Sequence, residues 1–251
     1  MKAPLLEAES LQKTFGRLAA VADVSLAIME GTLTAIIGPN GAGKTTLINL
    51  LTGLLLPDAG MIHFKGQDIT RLPPDRRVRL GVSRSFQIMT IFPSLTVHRN
   101  LLLPTLSRRG MNARALTRLD CVGDANEEAE ALLREIGLGE QRDVRAATLS
   151  HGDQRLLELG IAVATQPELC FLDEPCAGMN PIERQAVLGL MRKLAVQRRT
   201  TFVVVEHDMD VVFALAQRIV VMNYGQILAD GTPAEIRENG QVREIYLGAE
   251  V

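Results

Sequence analysis

Residues 32–53, TLTAIIGPNGAGKTTLINLLTG, carry residue types that bind phosphate, in the order that such binding requires. An apolar run typical of a strand leads into a glycine-rich turn, and a helical segment then ends near Gly53. Glycines let backbone N–H groups turn toward a phosphate, and the N-terminus of a helix adds positive potential. Lys44 can bridge phosphate oxygens, and the Thr45 hydroxyl can hold Mg²⁺. A chance glycine-rich turn is the alternative, but the strand–loop–helix context favours a phosphate loop formed by Gly38, Pro39, Asn40, Gly41, Ala42, Gly43, Lys44, Thr45 and Thr46.

Two later apolar runs end in side chains that handle protons and metal ions. LCFLDEP ends in Asp173 and Glu174, which places two carboxylates at the carboxyl edge of a sheet, where α/β folds bind ligands. We expect Asp173 to face Mg²⁺ through water and Glu174 to polarise an attacking water. A helix N-cap pair is the alternative reading of the two carboxylates. TFVVVEHDMD ends its run at His207; a lone histidine is more often structural, but the other two segments favour a contact to a terminal phosphate.

The composition limits the classes of partner. The chain has 251 residues, 47% of them hydrophobic, and a formal net charge of −2, which argues against nucleic-acid binding by bulk charge. The short basic runs near Arg76 and Arg108 are interpreted as solvated faces. Three cysteines without metal-ligand spacing suit a reducing compartment, and we find no apolar stretch of signal or membrane-spanning length. We therefore expect a cytoplasmic protein that can dock on a membrane protein.

The pattern of apolar runs predicts an α/β domain. Val- and Ile-rich runs at 32–37, 169–172, 202–205 and 218–222 alternate with segments of helical periodicity at 44–55, 127–136, 153–165, 181–196 and 208–217. This alternation indicates a largely parallel, buried sheet. Strand signals stop between residue 88 and about residue 165, which predicts a helical insert. We expect a single domain with a core at 1–87 and 166–251 and a helical subdomain at 88–165.

Together these segments resemble the nucleotide-binding subunits of ABC transporters over nearly the whole chain. The resemblance implies a P-loop NTPase (RecA-like) core with an N-terminal antiparallel β element, ATP and Mg²⁺ as cofactors, and ATP hydrolysis coupled to transport. It also implies roles for single residues. Phe15 of LQKTFGRL is similar to the aromatic that stacks on adenine, Gln87 of RSFQIM to the glutamine that contacts Mg²⁺ and takes part in catalysis, and His207 to the switch histidine.

TLSHGDQ occupies the position of the family's signature loop, usually Leu-Ser-Gly-Gly-Gln. In that family two subunits sandwich two ATP molecules, so Ser150, His151 and Gly152 are expected to close on the γ-phosphate held by the other subunit. His151 replaces a glycine and Asp153 the glutamine; we expect the Asp153 carboxylate to point away from the triphosphate, which it would repel. CAGMN leaves Asn180 where the family has aspartate, so the sequence does not determine how strongly the two ATP sites are coupled.

GDQRLLELG, AGMNP, VEHDMD and the ending of the chain resemble ATP-binding subunits of bacterial importers for branched-chain amino acids or, equally, urea. This implies separate membrane-spanning permease subunits, a second ATP-binding subunit in a heterodimer, an extracytoplasmic solute-binding protein, and a peripheral position on the cytoplasmic face of the inner membrane. A lipopolysaccharide-type exporter, a soluble mechanical ATPase and a catalytically inactive partner are the alternatives.

The permease is expected to dock where the insert meets the core, near QIMTIFPSLTVHRN. Ile91, Phe92 and Leu95 of this segment are either part of that surface or core of the insert.

Overall fold

The computed structural model describes residues 3–84, 91–110, 123–197 and 200–246, and these form two sheets and a cluster of helices. The larger sheet has six strands in the order β10-β9-β3-β8-β7-β6. Every neighbouring pair in it is parallel except β9 and β10. Its strands are β3 (Thr34–Ile37), β6 (Val82–Arg84), β7 (Leu169–Asp173), β8 (Thr201–Val205), β9 (Arg218–Asn223) and β10 (Gln226–Gly231). The predicted, largely parallel sheet is therefore confirmed, and each of the four predicted runs overlaps one of its strands, with ends that agree to within two residues.

The smaller sheet is antiparallel and has four strands in the order β2-β1-β4-β5. They are β1 (Leu6–Phe15), β2 (Leu18–Ile28), β4 (Ala59–Phe64) and β5 (Gln67–Asp68). One apolar core lies between the two sheets and around the first helix, and includes Leu11, Ile28 and Leu47. The N-terminal antiparallel element implied by the family resemblance is present.

Nine α-helices are described: α1 (Lys44–Thr52), α2 (Pro74–Leu80), α3 (Val97–Arg108), α4 (Gly123–Glu135), α5 (His151–Ala164), α6 (Pro181–Gln197), α7 (Met209–Leu215), α8 (Pro233–Glu238) and α9 (Gly240–Tyr246). The first ends before the predicted residue 55 because Gly53 adopts a left-handed conformation, with φ of 81°, and closes the helix. Helices α3, α4 and α5 pack on one apolar cluster that includes Leu101, Leu132 and Leu157. Within residues 91–110 and 123–165 the structure describes helices and turns and no strand.

Arg77 corrects the interpretation of the basic run near Arg76 as a solvated face. Its side chain is wholly buried, and its guanidinium donates to the carbonyls of Leu50 and Leu51 at the end of α1, both at 2.8 Å. Further bonds reach the carbonyls of Thr70 and Leu72, which leaves the last turn of α1 capped by a side chain from α2. Burial lowers the pKa of Arg77 to about 10, so the group stays charged at neutral pH.

Arg108, in the second basic run, forms an ion pair with Glu128 of α4. This run therefore also has an internal role, since it ties the end of α3 to α4.

None of the described helices is long and apolar enough to cross a membrane.

Candidate functional site

A cleft of about 340 Å³ opens at the carboxyl ends of β3, β7 and β8 and at the β1–β2 hairpin. Residues from four separate parts of the chain meet in it because the parallel strands end at the same edge of the sheet. Its lining is Phe15, Leu18, Ala20, Asn40, Gly41, Ala42, Gly43, Lys44, Thr45, Thr46, Asp173, Glu174, Val205 and His207.

Two glycines of the phosphate loop are required by close contacts between backbones. Gly43 has φ of +100°, and a Cβ there would lie 2.2 Å from the carbonyl oxygen of Ala20. A Cβ on Gly38 would lie 2.4 Å from the carbonyl oxygen of Met222. The loop is thus held between β2 and β9, and Gly43, at the N-cap of α1, has no side chain over the first turn of the helix. The backbone N–H groups of that turn therefore face the cleft as anion donors.

Lys44 supplies the cation of the cleft. Its Nζ donates to the carbonyl oxygens of Gly38 at 2.6 Å and Pro39 at 3.0 Å, which places the ammonium inside the loop. Burial lowers the pKa of Lys44, while the carboxylates of Glu174 and Asp173 act in the opposite direction. Gly38 and Pro39 are behind the cleft and contribute these carbonyls, whereas residues 40–46 line it.

Glu174 and His207 form a direct pair. The Nε2 of His207 lies 2.9 Å from Oε1 of Glu174, although the two residues follow different strands. The Glu174 backbone is left-handed, with φ of +48°, and its N–H donates to the carbonyl of Val205 at 2.9 Å. This conformation turns the chain sharply after β7 and directs the carboxylate to the cleft. The histidine is therefore not an isolated residue after a buried strand.

Asp173 has a partner that sequence reasoning missed. The Nη2 of Arg84 lies 3.1 Å from its Oδ2, and both side chains are buried. Arg84 also donates to the side chain of Asn49 on α1. The two residues meet because β6 and β7 are parallel neighbours, and the only sequence signal was a charged residue at the end of a short apolar run. The ion pair fixes one oxygen of the carboxylate at the cleft.

The N-cap reading of Asp173 and Glu174 is wrong. The next helix, α6, begins at Pro181, and its cap is Asn180, whose Oδ1 accepts the N–H groups of Ile182 at 2.9 Å and Glu183 at 3.0 Å. The carboxylate of Glu183 accepts the N–H of Asn180 in return, at 3.1 Å. This reciprocal arrangement is a capping box, so Asn180 has a structural role within its own chain.

Phe15 is at the open end of the cleft, at the end of β1. Its side chain is 49% exposed, and Lys13 Nζ lies 5.9 Å from the ring centroid. An exposed aromatic face next to a cleft can stack on a flat ligand. Leu18, across the hairpin turn, is 67% exposed and adds an apolar surface.

The signature-loop residues do not line the cleft of their own chain. Ser150 caps α5, and its Oγ accepts the N–H of Asp153 at 3.1 Å. Gly152 packs against α6, since a Cβ there would lie 2.9 Å from the Glu183 side chain. The imidazole of His151 is next to Gly178, where a Cβ would lie 3.5 Å from its Cε1. These three residues therefore form a second surface, at the N-terminal ends of α5 and α6.

The donors at the cleft fit Mg²⁺, which prefers oxygen ligands. The Thr45 hydroxyl and the Asp173 carboxylate both line it. Gln87, the third predicted ligand and a predicted catalytic residue, lies outside the described residues.

The surface predicted to meet a permease is divided between core and exterior. Ile91 belongs to the apolar cluster of α3–α5, Leu95 is half-buried, and Phe92 is 54% exposed. The buried side chain of Asn100 accepts the N–H of Phe92 at 2.7 Å and donates to its carbonyl at 3.1 Å. The backbone that presents the Phe92 ring is therefore fixed.

Known proteins are similar to this chain in sequence and in fold. Residues 21–177 match the model of the ABC transporter family, and residues 226–251 match that of the branched-chain amino acid ATP-binding cassette transporter. The chain is 40% identical, over 99% of both chains, to the high-affinity branched-chain amino acid transport ATP-binding protein BraF of Pseudomonas aeruginosa. It is 34% identical to the lipopolysaccharide export system ATP-binding protein LptB of Acidithiobacillus ferridurans, over 97% of both chains.

Among solved structures, the ADP conformation of MJ1267, an ATP-binding cassette of an ABC transporter, superposes with a TM-score of 0.86. The two chains are 33% identical over 98% of this chain and 100% of that one. The resemblance stated from the sequence and the P-loop NTPase fold are both confirmed. With its phosphate loop, paired carboxylates and histidine in one cleft, the chain belongs to the ABC transporter family, as an ATP-binding subunit whose ATP hydrolysis powers a membrane permease.

Proposed function

We propose that this subunit powers the import of branched-chain amino acids. The observation that carries the ATPase part is the Glu174–His207 pair at 2.9 Å beside the phosphate loop, because it joins a base to a group that can orient phosphate. The solute is inferred from the match of residues 226–251 and from 40% identity to BraF, against 34% to LptB.

Different side chains of the cleft bind the nucleotide, bind the metal ion and activate water. Lys44 and the N-terminal N–H groups of α1 hold the β- and γ-phosphates, and Phe15 stacks on the adenine. Thr45 and Asp173, with Gln87, would hold Mg²⁺, which would neutralise phosphate charge. Glu174 accepts a proton from the attacking water, and His207 bonds the γ-phosphate and keeps Glu174 in place.

The second surface, formed by Ser150, His151 and Gly152, closes on the nucleotide of a second subunit. Its position outside its own cleft supports this arrangement, as does the exposure of Ile182 at the start of α6, which is 83%. We infer that the second subunit is a different ATP-binding chain, and that a solute-binding protein delivers the amino acid outside. The assembly places this chain peripherally on the cytoplasmic face of the inner membrane.

The permease docks where the helical insert meets the core. The exposed ring of Phe92, on a backbone held by Asn100, supports this, together with a groove of about 790 Å³ between α2 and the end of α3. Val78, half-exposed on α2, is in the groove, which can take an apolar segment of a partner. A Val78→Cys variant should cross-link to cysteines placed in cytoplasmic loops of the permease; an exposed control, Val196→Cys on α6, should not.

Uptake by the assembled transporter tests the function. Proteoliposomes that contain the permease subunits, both ATP-binding subunits and internal Mg-ATP should accumulate labelled leucine, isoleucine or valine when the solute-binding protein is outside. Glu174→Gln should abolish uptake while ATP affinity is retained, with turnover lowered by about 10² or more. Uptake of urea in place of the three amino acids would reassign the solute, and extraction of lipopolysaccharide would reassign the direction of transport.

A further inference from the structure

Glu206 is a buried carboxylate to which the site as described assigns no task. It follows the last residue of β8 and is 4% exposed. An acid in such a place loses hydration that its ionised form needs, so an apolar residue would suit a purely structural position better. Its position between Val205 and His207, both of which line the nucleotide cleft, points to a task there.

The contacts of Glu206 join the two loops that carry Glu174 and His207. Its Oε1 accepts the N–H of Cys176 at 3.1 Å in a buried bond. Cys176 is two residues beyond Glu174, in the loop between β7 and α6. The carboxylate also lies near the backbone N–H of His207, the next residue along the chain. The bond to Cys176 therefore ties the loop that carries Glu174 to the residue next to His207.

A second bond between the loops is made by the backbone alone. The N–H of Glu174 donates to the carbonyl of Val205 at 2.9 Å. This bond fixes Glu174 at one point, whereas the bond to Cys176 fixes the chain just after it. Together they restrict how far the left-handed turn at Glu174 can rotate, and with it the direction of the carboxylate.

The charges around Glu206 act in opposite directions. Burial raises its pKa, the backbone N–H groups of Cys176 and His207 lower it, and the carboxylates of Glu174 and Asp208 raise it further. Asp208 is itself paired with a cation, since Nη1 of Arg184 lies 2.6 Å from its Oδ2. A carboxyl group that is buried next to two other acids is typical of functional sites rather than of apolar packing.

We propose that Glu206 is a positioning residue for hydrolysis: its bond to the Cys176 backbone ties the loop after β7 to the residue next to His207, so that Glu174 and His207 stay within bonding distance. It acts through these neighbours and touches neither nucleotide nor metal. The inference rests on the proposed function, because the distance that Glu206 maintains is that between Glu174 and His207, the two residues to which hydrolysis is assigned.

Steady-state kinetics of the assembled transporter give the first test. Glu206→Ala should lower kcat about tenfold or more, because a small misplacement of a catalytic group has large effects, while the KM for Mg-ATP changes less than about threefold. Glu206→Gln keeps an accepting oxygen and should recover kcat to within about threefold of the wild type. Glu235→Ala is the matched control, since Glu235 is an exposed acid that also accepts a backbone N–H, from Thr232 at 2.7 Å.

Histidine NMR of the full chain gives a test that does not depend on hydrolysis. The protein has four histidines, so the imidazole signal of His207 can be assigned with a His207→Gln variant. Glu206→Ala should shift this signal toward that of a free imidazole and leave the His63 signal unchanged. Neither signal should move in Glu235→Ala.

Two results would overturn the positioning role. One is a wild-type kcat in Glu206→Ala, and the other is an unchanged His207 signal in that variant. If the wild-type transporter hydrolyses no ATP but the His207 signal shifts as expected, the proposed function fails while the structural role of Glu206 stands.

Discussion

Lys44 shows how a single residue is prepared for an anion. Its ammonium is buried, which lowers its pKa, but Glu174 and Asp173 lie close enough to oppose this effect. The two carbonyls that it bonds hold the side chain in the loop rather than in solvent. A phosphate therefore meets a cation that is already oriented, and little side-chain freedom remains to be lost on binding.

Replacement of Lys44 by alanine should weaken Mg-ATP binding as well as turnover, because in the proposed mechanism the ammonium contacts phosphate before the reaction begins. Calorimetry of the purified variant measures the affinity directly. Lys193→Ala is a suitable control, since Lys193 is exposed on α6 and donates to the backbone carbonyl of Glu135 at 3.4 Å. An unchanged affinity in Lys44→Ala would falsify the role of the loop.

At the scale of elements, Asp58 fastens the strand that presents Phe15. Its carboxylate pairs with Lys13 at 2.7 Å and accepts the N–H of Thr14 at 2.8 Å and the Thr14 hydroxyl at 2.9 Å. These hydrogen bonds lower the pKa of Asp58 to about 2. The end of β1, and the aromatic ring beyond it, are thus attached to the residue just before β4.

The Asp58 contacts predict a pH-dependent stability. Because the folded-state pKa is below the unfolded value of 3.8, the stabilisation is complete above that value and is lost as pH falls toward about 2. Asp58→Asn should therefore lower the unfolding temperature at pH 7, and its difference from the wild type should narrow as the pH falls from about 4 toward about 2. Thermal unfolding followed by circular dichroism measures this. A difference that stays constant over that range would rule out the carboxylate as its cause.

Asn180 allows a prediction about the start of α6. Asn180→Ala removes both side-chain bonds to the first turn and should cost about 1 kcal/mol, or a fall of about 2–4 °C in unfolding temperature. Asn180→Asp retains an accepting oxygen and should remain close to the wild type. If the alanine variant unfolds at the wild-type temperature, the capping box does not contribute to stability.

At the scale of the whole molecule, the unusual signature loop predicts the choice of partner. His151 and Asp153 make the loop bulkier and more acidic than Leu-Ser-Gly-Gly-Gln, so the site that it closes should differ chemically from one closed by the common sequence. A heterodimer with a chain that carries the common sequence would contain one site of each kind. We therefore expect the isolated chain to associate weakly and to hydrolyse ATP poorly.

Light scattering can follow ATP-dependent association, with Glu174→Gln used to suppress hydrolysis. The variant alone should remain largely monomeric at micromolar concentration and should dimerise when the second ATP-binding subunit is added. A tight homodimer that the second subunit neither displaces nor activates would contradict the heterodimer.

The phosphate loop could be predicted from the sequence because its glycines, lysine and threonine lie within one short segment, 38–46, and their spacing alone implies a backbone conformation. The sheet could also be predicted, since buried parallel strands are nearly continuous apolar runs. Arg77, Arg84 and Glu206 were not found in this way. Each has partners far along the chain, and only the packing of α2 on α1, the register of β6 on β7, or the closeness of two loops brings these together.

The left-handed backbone at Glu174 has a consequence for protein engineering. A residue with a side chain in that conformation costs of order 1 kcal/mol relative to glycine, which adopts it freely. Selection of variants for heat resistance alone would therefore favour glycine at this position and would yield a more stable protein without the carboxylate that we propose as the general base. The chain retains a residue with an unfavourable backbone conformation at the proposed catalytic position. Any consensus or stabilising redesign should leave Glu174 unchanged.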